Sequence, residues 1–255
     1  MSDWDASSYH RVSDPQRAWG MRVLERFAPS HGERILDIGC GTGRLTTEIA
    51  NRTSTPLVAV DRSWSMLAEA THSCSGQITF VQADAARLPF CGSSFDAVFS
   101  TATFHWVPDH ARLFSEMHRV LRPGGRLVSQ AGGGPNLAGL YARCRSLRAT
   151  SEFAQFFEGW RDPWTFAGVD DTRTRVVAAG FTAVEVWLET APTRFNDADA
   201  FGDFVSTVCL RHHLDRLPVS GRADFVARVT ELAAGDDPPF TLDYWRLNID
   251  ARKQP

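Results

Sequence analysis

The chain has 255 residues, 43% of them hydrophobic and 22% charged, an ordinary balance for one sizeable buried core. Its 27 basic and 30 acidic side chains leave a net charge of −3, which sets aside the basic face of a nucleic-acid binder. No run approaches the roughly 18 apolar residues of a membrane helix, and the polar, acidic start MSDWDASSYHRVSDPQ does not read as a signal peptide.

The five cysteines (Cys40, Cys74, Cys91, Cys144, Cys209) are scattered, with no C-x-x-C pair, and read as free thiols of a reducing, cytoplasmic compartment. No metal site is expected, and the adjacent His212 and His213 lack the spacing of paired helical ligands.

In chain order, residues 14–28 predict a helix. Asp14 can cap it, Pro15 suits its first turn, and Trp19, Val23 and Phe27 share one face. RILDIG is a short buried strand entering a glycine loop, and GRLTTEIANR continues as a helix through Leu45 and Ile49. The theme then repeats: a strand at 56–61, a helix capped by Ser63, a third strand at 78–84 and a fourth at 95–100. A helix at 109–121, with Leu113, Met117 and Val120 on one face, stops at Pro123-Gly124-Gly125 before a fifth strand at 126–131.

Residues 133–177 and 194–238 are helical or irregular, with an aromatic-rich stretch at 153–166. Strands are predicted at 183–189 and, from the alternation of Leu242, Tyr244, Arg246 and Asn248, at 240–249.

Strands alternating with helices predict an α/β, doubly wound parallel sheet. Ligands of such sheets bind beyond the carboxyl ends of the strands, here Asp37–Gly43, Asp61, Asp84 and the segment after Ser100. The expected organisation is one domain over 1–255. A helical cap (1–29) precedes a cofactor-binding core (30–132), a helical lid (133–238) and a last strand and tail (239–255).

The glycine loop, LDIGCGTG, decides the cofactor. A dinucleotide site requires G-x-G-x-x-G, but counting from Gly39 the last glycine would fall on Arg44. Asp37, two residues before Gly39, would repel a pyrophosphate and favour a cationic group. S-adenosylmethionine, with a sulfonium, an ammonium and no phosphate, meets both conditions. Gly39, Cys40, Gly41 and Gly43 would then let the methionine part and ribose approach the backbone. Asp61 can accept from the ribose hydroxyls, flanked by Arg62, and Asp84 with the backbone of Ala85 can receive the adenine amino group. Met66 either packs on the adenine face or belongs to the core, and Ser100 completes the expected cofactor set.

The segments ILDIGCGTGRLT, VAVDRSWSML, VQADAARLPF, SFDAVFSTATFHWVPD and VLRPGGRL resemble, in order and spacing, the motifs of class I S-adenosylmethionine-dependent methyltransferases over residues 34–131. The resemblance implies a Rossmann-like seven-stranded sheet whose last strand is antiparallel, here with a helical lid. HWVPD further resembles a subgroup that includes trans-aconitate and juvenile hormone acid methyltransferases. LRHHLDRLP and LDYWRLNIDARK are similar to the carboxyl end of trans-aconitate methyltransferases.

These relatives methylate a carboxylate, which is already ionised at neutral pH and needs no base, so catalysis is mainly orientation. The resemblance implies Gln16 and Trp106 as donors to the acceptor, and Tyr9 could close over the cofactor. His105 is either a base for a hydroxyl, amine or carbon acceptor, or a donor or wall of the pocket. Arg246 could pair with an acidic substrate or be structural. The aromatic stretch either closes an apolar pocket or is core. The expected partner is thus a small-molecule acid rather than a nucleic acid or membrane. The alternatives are another acceptor atom, with His105 as base, or a catalytically silent S-adenosylmethionine binder.

Overall fold

The computed structural model describes the backbone of residues 14–53, 55–74 and 77–255, with side chains from Arg17 onward. The elements are α1 (Asp14–Phe27), β1 (Ile35–Ile38), α2 (Arg44–Arg52), β2 (Leu57–Asp61), α3 (Trp64–Ser73), β3 (Ile78–Gln82) and β4 (Phe95–Thr101). A 3-10 turn at Phe104–Trp106 leads into α4 (His110–Val120) and β5 (Leu121–Gly132). The remainder comprises α5 (Ala138–Arg148), α6 (Val169–Ala178), β6 (Phe181–Thr190), β7 (Thr193–Arg194), α7 (Ala198–Phe204), α8 (Arg211–Leu214), α9 (Val219–Ala234), β8 (Thr241–Leu242) and β9 (Trp245–Lys253).

The main sheet has seven strands in the order β3-β2-β1-β4-β5-β9-β6. The first five run parallel, and β9 is antiparallel to both β5 and β6. The order reverses at β1, so the carboxyl ends of β1, β2 and β4 open into one crevice, where α/β sheets bind their ligands.

Both faces of the sheet are covered. On one, Val23, Leu24 and Phe27 of α1 pack with Ile35, Leu57, Phe99 and Val128. On the other, Leu113, Met117 and Val120 of α4 and Val176 of α6 pack with Leu36, Val98, Leu127 and Ile249. A third apolar cluster, built from α5, α7, α9 and Phe153 and Phe157, reaches Trp19 and Tyr244. Phe153 and Phe157 are therefore core residues of the lid. Among the described residues no helix is long and apolar enough to cross a membrane.

Three predicted boundaries shift. The third strand ends at Gln82, leaving Asp84 in a turn closed by Arg87 N–H on its carbonyl (2.8 Å). The fifth begins at Leu121, because buried Leu121 pairs with Phe95 before a bulge passes the Pro-Gly-Gly segment. The predicted strand at 240–249 is two: Thr241–Leu242 pairs with β7, a turn closes at Tyr244 N–H on Leu242 O (3.0 Å), and β9 starts at Trp245.

The alternation in β9 is real, but both faces are buried. Leu247 and Ile249 face α4 and α6, whereas Arg246 and Asn248 occupy the other side. There Asn248 Oδ1 accepts from Arg26 (2.9 Å) and Gln130 (2.9 Å), and Arg26 also donates to Asp250 (3.1 Å). A buried polar strand face is tolerated only when its groups are bonded in this way, and here the bonds pin α1 to the sheet.

Candidate active site

Gly39, Gly41 and Gly43 all take positive φ. At Gly39 a Cβ would lie 1.9 Å from Thr103 Oγ1, so glycine is what allows the loops after β1 and β4 to touch. At Gly41 a Cβ would meet nothing within 4 Å: the loop backbone there borders open space. The loop is tied to β2 by the N–H groups of Gly39 (2.8 Å) and Cys40 (3.0 Å) on Val60 O.

Two carboxylates flank the loop. Asp61, at the end of β2, accepts from Gly41 N–H through Oδ2 (2.9 Å) and from Ser63 N–H through Oδ1 (2.8 Å). It thus braces both the glycine loop and the start of α3, which Ser63 caps by accepting from Met66 N–H (3.2 Å). Asp37 is buried and accepts from Thr46 Oγ1 (2.7 Å). Burial, and then the nearby Asp61 charge, push its carboxyl up to about 7 despite the Thr46 bond.

The other expected cofactor residues differ in placement. Met66 is buried yet lies outside all three apolar clusters, at the first turn of α3. Asp84 is exposed at the rim, where Oδ1 accepts from Ala86 N–H (2.9 Å), and the Ala85 side chain belongs to the core. Arg62 is exposed, with its carbonyl accepting from Gln82 (3.1 Å). The Cys40 thiol is pushed well up by burial and by Asp37 and Asp61, so it stays protonated. Ser100 is a correction: its buried hydroxyl donates to Ile38 O (2.7 Å), so it braces the β1 end rather than facing a ligand. Tyr9 and the side chain of Gln16 lie outside the described residues.

On the acceptor side the chain leaves β4 through Ala102, whose φ of +54 is strained for a residue with a side chain. Its N–H donates to Gln130 O (2.8 Å), which holds the turn and starts the 3-10 turn carrying His105 and Trp106. His110 Nε2 sits 3.0 Å from Phe104 O and fixes the same turn from below.

His105 Nδ1 accepts from Gly132 N–H (3.2 Å). Desolvation, and then the charge of Arg246, push its pKa down to about 3. The imidazole is therefore neutral with its proton on Nε2, and the ring presents a donor. Arg246 is itself buried, its guanidinium 3.8 Å above the Trp19 ring and 4.5 Å from that of Tyr244.

The lid closes on this turn. Thr165 N–H donates to His105 O (2.7 Å). Phe166 lies 5.7 Å from the His105 ring, and Trp106 meets Trp164 edge-on at 6.3 Å and His212 at 5.2 Å. The carboxyl end of the aromatic stretch thus walls the site, while its amino end is core. Thr46, Thr103 and His212 were not anticipated at this site; no local pattern marks them, because their partners come from other elements, whereas Phe166 ends the aromatic stretch expected to be either pocket wall or core.

Two carboxylates beside a loop with room above Gly41 suit a ligand bearing cationic and hydroxyl groups, and would repel a pyrophosphate. The profile of the family described as methyltransferase domain matches residues 36–129, the stretch from β1 into β5. The fold is shared with Haemonchus contortus phosphoethanolamine N-methyltransferase 2 in complex with S-adenosylhomocysteine (TM-score 0.62, 20% identity, 98% of this chain). The chain spans 57% of that longer protein. It is shared also with the YcgJ protein of Bacillus subtilis (TM-score 0.62, 18% identity, 93% of this chain and 99% of that one).

The chain belongs to the class I S-adenosylmethionine-dependent methyltransferases, enzymes that use this cofactor as methyl donor. Over 275 aligned residues, 99% of its own length and 99% of the relative's, it is 30% identical to trans-aconitate 2-methyltransferase of Methylobacterium nodulans.

Proposed function

We propose that the protein methylates a carboxylate of a small organic acid, giving a methyl ester. One observation carries this reading. His105 has its Nδ1 lone pair taken by Gly132 N–H and its proton on Nε2, so it is built as a donor and not as a base. A hydroxyl or amine acceptor requires a base, whereas a carboxylate requires only donors that hold it without taking its charge. The Arg246 charge, which depresses His105, favours an anion and disfavours an ammonium group at the same place. The similarity to a trans-aconitate methyltransferase points the same way.

When bound, S-adenosylmethionine would supply an electrophilic methyl group carried on its sulfonium. In this reading Asp37 faces the cationic part of the cofactor, Asp61 the ribose hydroxyls, and Met66 and the Asp84–Ala85 turn the adenine. His105 Nε2–H and Trp106 hold the acceptor, together with Gln16 and Tyr9. The aromatic wall of Trp164 and Phe166 excludes water, which strengthens each of these contacts.

The test is transfer of labelled methyl to a panel of acids, alcohols and amines, followed by mild base. Base-labile label on an acid is expected. Base-stable label on an alcohol or amine, with acids inert, would overturn the reading.

Asp37 has a pH signature. Its folded-state pKa, about 7, stands above the ordinary 3.8. The folded protein therefore holds an extra proton between these values, and stability falls as pH rises from 4 to 7. A cationic ligand favours the ionised form, so cofactor binding tightens toward pH 7 and releases a proton below it. In Asp37→Asn the fall in Tm between pH 5 and 8 should shrink, while cofactor affinity at pH 8 drops about tenfold, the scale of one charged contact. Equal Tm slopes in the two proteins would show that Asp37 ionises normally.

A further inference from the structure

Apart from the glycine-loop crevice, the described residues form a cleft of about 500 Å³ lined by Trp160, Arg161, Pro163, His212, Arg216 and Arg222. It lies against the acceptor side of the site. His212, on its wall, lies tilted against Trp106 at 5.2 Å, and Trp164, next to Pro163, meets the same ring edge-on at 6.3 Å.

Its charge runs against the balance of the protein. The whole chain is acidic at −3, yet three guanidiniums share this cleft with one carboxylate, Asp215. The nearby carboxylates are engaged elsewhere: Asp215 approaches Arg211 (4.0 Å), and Asp162 accepts from Trp160 Nε1 (2.7 Å) and approaches Arg148 (3.8 Å). Among the described residues none of Arg161, Arg216 and Arg222 forms an ion pair. Arg222 is steered by donating to Leu217 O (3.3 Å), and Arg216 lies 5.9 Å from the Trp160 ring. His212 is held neutral by burial and by Arg211, so it adds no competing charge. Concave walls focus such a field, and planar guanidiniums recognise carboxylate and phosphate oxygens in pairs.

We propose that this cleft is an anion-binding extension of the acceptor site, which takes a second anionic group, carboxylate or phosphate, of an acid whose first carboxylate lies beside His105. The proposal rests on the carboxylate reading of the site. Arg161, Arg216 and Arg222 then act as specificity residues: they select acids that carry a remote charge. Trp160 and Pro163 supply the apolar floor along which the carbon skeleton lies.

The experiment is calorimetric titration of the S-adenosylhomocysteine complex with linear dicarboxylates from succinate to suberate, the monocarboxylates of the same lengths, and inorganic phosphate. The same acids are then assayed for ester formation. Wild type and the double variant Arg161→Gln/Arg216→Gln are compared, with Arg222→Gln as a second variant.

At least one diacid should bind about tenfold or more tightly than its monoacid, the range of one charge-assisted contact. The double variant should bring the two toward parity and leave the monoacid unchanged. Competition by phosphate would mark phosphate as the preferred second group, and its absence a carboxylate. A diacid preference that survives in the variants, or no diacid binding to wild type, overturns the proposal even if monoacids are esterified. An arginine-dependent preference with no ester from any acid leaves the cleft standing and removes the carboxylate reading.

Discussion

Asp61→Ala is expected to weaken S-adenosylmethionine binding on the order of 100-fold and to lower the stability of the free protein. The first effect combines loss of an acceptor for the ribose hydroxyls with loss of the brace that shapes the loop. A hydrogen bond to a charged group contributes about 1.5–3 kcal/mol, which is roughly 10- to 100-fold by itself. The second effect follows from the two backbone donors, Gly41 N–H and Ser63 N–H, that Asp61 satisfies. Leaving a sheltered donor unmet costs about 1–3 kcal/mol.

Asp61→Asn separates the two roles, because its amide oxygen can still accept from one of these groups and its NH₂ cannot accept at all. It should recover part of the stability and little of the affinity. Calorimetry with S-adenosylmethionine and thermal melts of the free protein measure both. Unchanged affinity in Asp61→Ala would remove the ribose assignment, and an unchanged Tm would remove the brace.

His105→Phe should lower kcat about 100-fold or more at saturating cofactor while leaving S-adenosylmethionine affinity nearly unchanged. Phenylalanine fills the space beside Trp106 and Phe166 but supplies neither the Nε2 donor nor the Nδ1 acceptor. Losing one preorganised donor at a reacting centre typically costs 10²–10³ in rate. The Gly132 N–H is also left unmet, so a Tm decrease is expected.

The pH profile separates donor from base. With His105 at about 3, wild-type kcat at saturating cofactor should be level from about pH 5 to 9, with no inflection near 6.5. The cofactor KM, by contrast, should rise below pH 7 as Asp37 takes up its proton. An inflection of kcat near 6 to 7 in wild type, lost in the variant, would make His105 a base and move the reaction to a hydroxyl or amine.

Much of the cofactor half of the site is legible in the chain, because its residues are local. Asp37, Gly39, Gly41 and Gly43 lie on one strand-to-loop passage, and β2, β3 and β4 each deliver their end residues to the same sheet edge. Period-two and period-3.6 patterns mark those elements, whereas the strand order is seen only in the folded sheet. The misreadings were also local. Ser100 sits at a strand end as a ligand residue would, but strand alternation turned its hydroxyl onto Ile38 O. The alternation at 240–249 was read as one strand across a turn that only the pairing of β7 with β8 reveals.

By itself, then, the sequence determined the alternating α/β architecture, the rejection of a dinucleotide loop and the choice of a cationic cofactor, since each depends on neighbouring residues and their spacing. The tertiary structure decided the chemistry of the acceptor side. The tautomer of His105 is set by Gly132, a β5 residue, and its neutrality by burial and then by Arg246 from β9. Arg161, Arg216 and Arg222 share a cleft only because the lid folds back past α8 and α9. These properties come from groups far apart in the chain that the fold brings together, and no local pattern encodes which distant groups will meet.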